Sequence, residues 1–414
     1  MISEKRDKLK KAILLGTFCS VSYFAVYIAR NILSAVSPQM LELGFSEKYI
    51  GMASSLFFAI YAVGQLINGQ IGDKIKARYM ISFGLILAGI CNFVVPFVFD
   101  SPLSFVLVYG ITGFFLAMIY GPLTKVISEN VDPMYVVRCG VGYELAYLLG
   151  SPAAGLLAAM LPLTATFRVG GLIAILMGTV AFMCFWRFEK KGLVIYGKYR
   201  SAEKGGKAKI KVLLKHRIVT FCLIAIITGI VRTSVVFWLP TYVSQYLEFS
   251  PQRSATIFSV ATLVISLTAF IAVLIYEWLK NMDKMILIMF SIAAVSFGGV
   301  WMIKQPILNI VCLVIAIMSS GCVASVMWNR YCTGLRDTGM VSSVTGFLDF
   351  LSYMAAAVAN VVFANAVFAI GWENLILVWM LLMVAGVLIS LPYDAWIKQK
   401  NIKCKNAVKS EFCL

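Results

Sequence analysis

The sequence predicts an all-α membrane protein whose twelve transmembrane helices form two pseudo-symmetric six-helix bundles. The chain is 61% hydrophobic and only 13% charged, and its mean hydropathy is +0.88, unlike an ordinary soluble domain. Apolar runs of about 20 residues, long enough to cross a bilayer, recur along the chain. A polar, basic segment at 187–216 separates six such runs from six others.

The predicted spans follow one another with short connections. In the first half they cover 12–37, 49–70, 79–99, 103–126, 138–160 and 165–186, and in the second half 217–244, 254–278, 284–303, 306–328, 342–368 and 374–396. The sequence therefore divides into an N-terminal bundle (1–186), a basic linker (187–216), a C-terminal bundle (217–397) and a tail (398–414). The apolar stretch near the N-terminus is too long for a signal peptide and contains Arg30, so it is predicted to be an uncleaved first span.

The distribution of basic residues predicts the orientation. Lys and Arg crowd the N-terminus, the 72–78 loop, the 187–217 segment and the tail, whereas the alternate loops hold only Lys48, Arg168, Arg253 and Lys304. Cytoplasmic loops of membrane proteins carry such an excess, so both termini are predicted to be cytoplasmic. The net charge of +17 then follows from topology. No nucleic-acid partner is expected, because the basic residues lie in several short loops.

Signatures of catalysis and of cofactor binding are missing from the sequence. The ten cysteines show no paired spacing, and the single histidine, His216, lies in the basic linker. The sequence contains no phosphate-binding loop, zinc-protease motif, nucleophile elbow or dinucleotide fingerprint. We therefore expect a protein that is not an enzyme, uses no metal or cofactor, and acts as a monomer in the lipid bilayer.

Two arginines lie deep inside apolar runs at matching positions. Arg30 is followed eight residues later by Pro38, Arg232 is followed eight residues later by Pro240, and a Phe-Ser pair comes after each proline. A guanidinium in a bilayer costs about 2.5–3.5 kcal/mol even on the lenient insertion scale. Two such cations, one in each half, suggest an anionic ligand between the halves. The alternative is that helix carbonyls or internal carboxylates satisfy both arginines.

Polar residues in the first half repeat at helical spacing and predict a hydrogen-bonding cavity. Residues three and four apart share one face of a helix. Membrane tyrosines also gather at the headgroup belt, which suits those near span ends better than those further inside. The predicted cavity residues are Tyr23 and Tyr27 beside Arg30, Tyr61 with Gln65, and Tyr143 with Tyr147, between which Glu144 lies.

Several motifs resemble those of a known family. The loop GQIGDKIKAR contains Gly69, Asp73 and Arg78, which match the loop motif of major facilitator transporters. We expect Asp73 to meet the start of a neighbouring helix and the loop to act in gating. The other matching features are Tyr27 with Arg30, GFSEKYIG at 44–51, Gly121-Pro122, Arg232, the group Ser343, Thr345 and Gly346, and GWE at 371–373. Together they resemble the organophosphate:inorganic phosphate antiporters, which include glycerol-3-phosphate and hexose-phosphate exchangers.

The resemblance implies the major facilitator fold, a bacterial inner-membrane location, and exchange of an organic phosphate for inorganic phosphate by alternating access. It also implies that Arg30 and Arg232 bind the substrate phosphate. The chemistry agrees, because arginine stays protonated and its planar fork forms bidentate hydrogen bonds with phosphate.

The sequence departs from the family pattern at two cavity positions. Glycerol-3-phosphate exchangers have a histidine where Tyr147 aligns and a lysine where Gln65 aligns, which argues against glycerol 3-phosphate itself.

Two acidic residues inside predicted spans each have two alternative roles. Glu144 could pair with an arginine or carry a proton, and Asp349, with Tyr353 one turn later, could pair with Arg330 or contact a substrate.

Two other functions stay open at this point. One is a proton-coupled transporter of a carboxylated solute such as a sugar acid, since carboxylate also fits an arginine fork. In that case Glu144 or Asp349 would carry the proton. The other is a membrane sensor that keeps the fold and binds a sugar phosphate without transporting it.

Overall fold

The computed structural model describes residues 2–71, 75–196, 214, 216–332, 334–335 and 341–391. Within these ranges the chain is helical and has no strand. In the first half, span 1 is Ile2–Glu42, span 2 is Glu47–Ile71, and span 3 is Ala77–Val94, which a 3-10 turn at Val95–Val98 continues. Span 4 consists of Pro102–Ala117 and Tyr120–Asn130, span 5 is Pro133–Met160, and span 6 is Leu163–Lys190.

The second half has more interruptions. Span 7 runs as Ile218–Gly229, a π-helical turn at Ile230–Val235, and Val236–Gln245. Span 8 consists of Pro251–Ser266 and Thr268–Leu279, span 9 is Met282–Met302, and span 10 is Pro306–Val326 followed by a π-helical turn at Met327–Cys332. Spans 11 and 12 lie within Val341–Ser390, where Gly371 has φ 75° and ψ 170° and breaks the helix. A positive φ favours glycine, which has no Cβ to clash with its own backbone.

These helices confirm the predicted twelve-helix architecture. Within the described part of the chain, ten helices are long and apolar enough to cross a membrane, and one of them, Val344–Ser390, contains both span 11 and span 12. Span 5 has a shorter apolar core at Leu148–Met160. The helix of span 6 extends to Lys190, beyond the predicted end at 186. The predicted end of span 12 and the tail lie outside the described residues.

Local sequence explains where several helices of the second half begin. Ser250, Asn281 and Gln305 each precede a helix, and their side-chain oxygens accept a hydrogen bond from the backbone amide three residues later. Such caps satisfy amides that have no partner in the first turn. Pro251 and Pro306 occupy first-turn positions, where a missing amide hydrogen costs nothing.

The two halves are hydrogen-bonded to each other at one end of the bundle, which we call the sealed end. It lies on the side of the loop at 43–46, which joins spans 1 and 2. The hydrogen bonds across it link Ser34 Oγ to the Phe237 carbonyl (2.6 Å), Ser37 to Thr241 (2.7 Å), Asn360 to Ser54 (2.8 Å), Ser55 to the Ala357 carbonyl (2.6 Å) and Ser259 to the Pro152 carbonyl (2.9 Å).

The opposite end of the bundle is looser. Among the described residues, a Cβ added to Gly121 in span 4 or Gly346 in span 11 would meet no atom within 4 Å. The neighbouring Tyr120 and Phe347 are 40% and 48% exposed. We call this end, where span 6 ends at Lys190, the open end. Among the described residues, the packing is therefore looser at the open end than at the sealed end.

Candidate functional site

Arg30 lies in a cage of four aromatic rings. Its guanidinium carbon is 5.8 Å from the ring centre of Tyr27, 5.3 Å from Phe58, 5.1 Å from Tyr61 and 5.1 Å from Tyr353. Its Nη1 donates a hydrogen bond to the Tyr353 hydroxyl at 3.2 Å. A cation over aromatic faces is attracted by the ring quadrupole, and most strongly where water is excluded. Because Tyr353 belongs to span 11, the cage is built from both halves.

The backbone around Arg30 is fixed by polar residues of spans 3 and 4. The hydroxyl of Tyr109, which is buried, donates to the Arg30 carbonyl at 3.0 Å. The buried side chain of Asn92 donates to the Ala29 carbonyl at 3.2 Å. These contacts hold span 1 in one rotational setting. The guanidinium therefore points toward the second half of the molecule.

The structure brings two other predicted cavity tyrosines, Tyr23 and Tyr143, close to this cage. Tyr23 lies 5.0 Å from Tyr27 and 5.7 Å from Tyr143, measured between ring centres, and 5.3 Å from Tyr120 of span 4. Tyr23 and Tyr143 are buried, at 8% and 9% exposed. Tyr23, Tyr120 and Tyr143 therefore form an aromatic cluster that extends the Arg30 cage toward the open end.

Arg232 lies in the π-helical turn of span 7, where the backbone is packed directly against span 11. A Cβ on Gly229 would come within 2.6 Å of the Ser352 carbonyl oxygen. The Ser352 hydroxyl donates to the Ala225 carbonyl at 3.0 Å, and the Ser234 hydroxyl donates to the Ala356 carbonyl at 3.0 Å. A π-helical turn inserts one extra residue, and such turns often occur at functional sites. Here it carries the half-buried Arg232.

Asp349 lies in span 11 on the helix face that carries Tyr353. It is half-buried, three residues before Ser352 and four before Tyr353. Because Tyr353 accepts a hydrogen bond from Arg30, Asp349 lies one helical turn from the Arg30 cage. Arg330, which was the alternative partner, has its guanidinium 4.2 Å from the ring centre of Tyr276.

Among the other predicted site residues, the structure describes the side chain of Gln65 but not those of several others. Gln65 is half-buried one turn after Tyr61 in span 2. Glu144 and Tyr147 belong to the helix of span 5, but their side chains lie outside the described residues, and so do Asp73 and the surroundings of Gly69. Their roles remain predictions.

Arg78, from the predicted gating loop, lies at the open end and is nearly buried. Its Nη1 pairs with the Glu189 carboxylate of span 6 at 3.1 Å, and its Nη2 donates to the Tyr79 hydroxyl at 2.8 Å. Lys76 approaches the same carboxylate at 3.9 Å. The Tyr196 hydroxyl also donates to Glu189, at 3.0 Å. Burial and the neighbouring Glu189 carboxylate raise the pKa of Tyr196. Arg78 therefore joins the start of span 3 to the end of span 6.

Two cage residues were absent from the predicted site. Phe58 lies three residues before Tyr61 on the same face of span 2, but its apolar ring resembles any membrane-span residue. The sequence predicted that Tyr353 shares a helix face with Asp349. Its contact with Arg30 was not predicted, because the two residues are 323 positions apart in the chain. Spacing within one span could have indicated Phe58, whereas the contact of Tyr353 depends on how the halves pack.

A groove on the surface of the first half lies away from this site. It has a volume of about 460 Å³ and is lined by the outer faces of spans 1 and 5, including Ile13, Val21 and Leu149. Its lining is apolar, and it does not include Arg30, Arg232 or Asp349.

The sequence model of the Major Facilitator Superfamily matches residues 19–360. The chain belongs to this superfamily. Among its relatives, the membrane sensor protein UhpC of Escherichia coli strain K12 is 23% identical over 420 residues, covering 93% of this chain and 92% of that protein. The glycerol-3-phosphate transporter of Bacillus subtilis strain 168 is 23% identical over 278 residues, covering 60% of each. A probable hexose phosphate transport protein of Chlamydia trachomatis is 27% identical over 110 residues, covering 26% of this chain and 24% of that protein.

Solved structures of other transporters have the same fold. A bacterial homologue of the human lysosomal transporter Spinster, in an inward-facing and unoccupied conformation, aligns with a TM-score of 0.75 and 11% identity, covering 92% of this chain and 96% of that one. A D-xylose–proton symporter aligns with a TM-score of 0.68 and 10% identity. These structures confirm the fold. The family match and the sequence relatives confirm the resemblance to the organophosphate:inorganic phosphate antiporter family, whose members are multi-pass membrane transporters rather than enzymes.

Proposed function

We propose that this major facilitator protein exchanges an organic phosphate ester for inorganic phosphate. The observation that carries the proposal is the hydrogen bond from Arg30 to Tyr353 of the second half, which puts a cation of span 1 where the two halves meet. Arg232 lies in span 7, which is hydrogen-bonded to the same span 11, and we infer that an anion between the halves contacts both guanidinium groups. Such a site responds to an anion that binds between the two halves.

The residue types suit a phosphate group. A phosphate monoester carries between one and two negative charges near neutral pH, because its second pKa is about 6. Two arginines neutralise this charge, and their planar forks match the phosphate oxygens. The rings of Tyr27, Phe58 and Tyr61 provide flat apolar surfaces, and two of them also carry a hydroxyl group. Such surfaces suit an organic moiety with both apolar and hydroxyl-bearing faces.

Alternating access accounts for transport. In the family fold the substrate lies near the bilayer midplane, and the two halves rock around it. The chain is closed at the sealed end by hydrogen bonds such as Ser37–Thr241 and Asn360–Ser54. With both termini cytoplasmic, the open end faces the cytoplasm. Phosphate drawn between Arg30 and Arg232 would then help the halves close around it. We place the protein in a bacterial inner membrane, as a monomer.

Counterflow in proteoliposomes tests this proposal. Vesicles loaded with inorganic phosphate and containing the purified protein should accumulate a labelled phosphate ester, tested across a panel of phosphate esters and sugar acids. Arg30→Ala and Arg232→Ala should each reduce counterflow at least about tenfold, because a buried anion would lose a charged hydrogen-bond partner. Folded arginine variants that bind and exchange phosphate like the parent would overturn the proposal. Selective accumulation of sugar acids would instead favour the proton-coupled alternative.

A sugar-phosphate sensor is the second candidate. It is favoured by the match to the membrane sensor protein UhpC, which covers more than nine-tenths of both chains. A sensor would bind the phosphate ester through the same two arginines. Binding by the purified protein without counterflow in the same preparation would assign the sensor role.

A further inference from the structure

We propose that the groove on the outer faces of spans 1 and 5 binds one anionic phospholipid, with an acyl chain in the groove and the phosphate group at Arg6 and Lys10. The groove lies away from the Arg30 cage, so the proposal goes beyond transport and does not depend on which substrate is carried. It assigns a ligand to a surface that the proposed function does not use.

Small residues of spans 1 and 5 form the floor of the groove. A Cβ on Gly16 would lie 2.8 Å from the Cys139 sulfur, and a Cβ on Gly142 would overlap the Ser20 hydroxyl. The Cys139 thiol also donates to the Ala12 carbonyl at 3.6 Å. The floor is therefore fixed by direct contact between the two helices.

The walls of the groove are apolar and exposed. Ile13 and Val21 of span 1 are 58% and 47% exposed, and Leu149 of span 5 is 51% exposed. None of the described residues that line the groove is charged. Lipid tails are as apolar as leucine side chains. A groove of about 460 Å³ with this lining therefore suits an acyl chain.

Two basic residues lie on the same face of span 1, beyond the end of the groove. Arg6, Lys10, Ile13, Thr17 and Val21 follow one another at intervals of three or four residues, and all five are exposed. They belong to one helix, Ile2–Glu42, so this spacing puts them on one face. The face is charged at one end and apolar along the rest, as a phospholipid is.

The length of this face matches one leaflet of a bilayer. Val21 lies eleven residues after Lys10, which corresponds to about 16 Å along a helix. The hydrocarbon core of a bilayer is about 30 Å thick, so one leaflet contributes about 15 Å. An acyl chain that fills the groove therefore brings its phosphate group to the level of Lys10 and Arg6.

The charges favour an anionic phospholipid over other occupants. A zwitterionic headgroup carries its own ammonium group, which the cations Arg6 and Lys10 repel, whereas basic residues attract anionic lipids. A second copy of the chain is also disfavoured. In a two-fold dimer across this face, with its axis along the membrane normal, Arg6 and Lys10 would meet the same cations of the other copy at the same depth.

Native mass spectrometry of the purified full-length protein tests the proposal. The protein in detergent is titrated separately with phosphatidylglycerol and with phosphatidylcholine that carry the same acyl chains, and the bound lipid molecules are counted. One phosphatidylglycerol should bind at least about fivefold more tightly than phosphatidylcholine, because each basic residue near a membrane surface contributes about this factor in affinity for anionic lipid.

The double variant Arg6→Gln with Lys10→Gln should lower the affinity for phosphatidylglycerol at least about fivefold and leave that for phosphatidylcholine unchanged. Both side chains are exposed, so their replacement leaves the packing of span 1 intact. Lys8→Gln is the matched control. Lys8 lies on another face of the same helix, with its ammonium group 3.8 Å from the Asp132 carboxylate, and its replacement should keep the headgroup preference of the parent.

A second variant tests the groove itself. Thr17→Trp should fill the groove and weaken the binding of both lipids at least about fivefold, because overfilling a packed space is costly. Thr179→Trp is the matched control, because Thr179 is an exposed threonine of span 6 outside the groove, and it should bind both lipids as the parent does.

Four results would overturn the proposal. The first is equal affinity of the parent for the two lipids, and the second is the same headgroup preference in the double variant as in Lys8→Gln. The third is equal lipid binding by Thr17→Trp and Thr179→Trp. The fourth is a dimer of the parent that Thr17→Trp dissociates and Thr179→Trp does not, which would assign the groove to a second copy of the chain.

Discussion

At the scale of single residues, a substitution of Arg30 can separate the effect of the side chain's charge from the effect of its planar shape. Arg30→Lys keeps the positive charge but loses the planar fork and its broad contact with the rings of Tyr61 and Tyr353. Lysine binds phosphate as a point charge rather than bidentately. We expect phosphate binding by the purified variant to weaken at least about tenfold, equivalent to about 1.4 kcal/mol.

Arg168→Lys is the matched control for this change. The Arg168 guanidinium also lies over an aromatic ring, 4.9 Å from the centre of Phe97, but away from the site. Its replacement should leave phosphate affinity unchanged in the same binding assay. Equal weakening in both variants would show that the loss reflects general stability rather than ligand contact.

The ion pair between Lys304 and Glu373 predicts a pH dependence of stability. The Lys304 ammonium group hydrogen-bonds to the Glu373 carboxylate at the edge of the second half and lowers the pKa of that carboxyl group. A lowered folded-state pKa means that this stabilisation is present above the ordinary pKa of glutamate and is lost as the pH falls through the folded value. Because the pair is exposed, we expect a small effect.

Thermal unfolding of Glu373→Gln measures this effect. The melting temperature of the parent should exceed that of the variant near neutral pH by about 2 °C or less, and the difference should vanish as the pH approaches about 3. Lys304→Met should abolish the same difference. A gap that widens toward acid pH would contradict the assignment of the pair.

At the scale of helices, two glycines allow the halves to touch at the sealed end. A Cβ on Gly51 of span 2 would lie 2.6 Å from the Ala364 Cβ and 2.9 Å from the Asn360 carbonyl oxygen of span 11. A Cβ on Gly155 of span 5 would lie 3.0 Å from the Ala255 carbonyl oxygen of span 8. Backbone atoms cannot move aside as a flexible side chain can. These positions therefore set how closely the halves approach.

Gly51→Leu should hold the sealed end apart. A thiol-reactive probe should label a cysteine introduced at Ser55, which is hydrogen-bonded across this end to the Ala357 carbonyl, faster in the Gly51→Leu background. Gly298→Leu is the control, because its Cβ would meet only the Met380 sulfur at an ordinary 3.6 Å. Equal labelling rates in the two backgrounds would show that Gly51 does not determine closure.

Hydropathy predicted the helices well, but their ends and irregular turns depend on contacts between helices. Span 6 continues beyond its predicted end to Lys190, because Glu189 forms an ion pair with Arg78 and accepts a hydrogen bond from Tyr196 at the open end. The π-helical turn that carries Arg232 has no signature in the sequence. It accompanies the close contact of Gly229 with Ser352, which a pattern within one span cannot reveal.

At the scale of the whole molecule, the two halves carry arginines at matching positions, and spans from both halves close the sealed end. Arg30 and Arg232 occupy matching places in spans 1 and 7, and the sealed end is closed by spans 2 and 11 on one side and spans 5 and 8 on the other. The matching arginines could be predicted because a buried cation contrasts with its apolar surroundings. The hydrogen bond from Arg30 to Tyr353 of the other half could not, because it depends on how two separate bundles pack.

The orientation of the whole molecule in the membrane is the last prediction. The excess of basic residues on the linker side predicts that the open end faces the cytoplasm. Lys48 and Lys191 are both exposed lysines, at the sealed and the open end respectively. In a background with the native cysteines replaced, an impermeant thiol reagent added to intact cells should label Lys48→Cys and leave Lys191→Cys unlabelled until the membrane is permeabilised. The reverse pattern would place the open end outside. Phosphate would then reach Arg30 and Arg232 in this conformation from the external side, and the direction of substrate loading would be inverted.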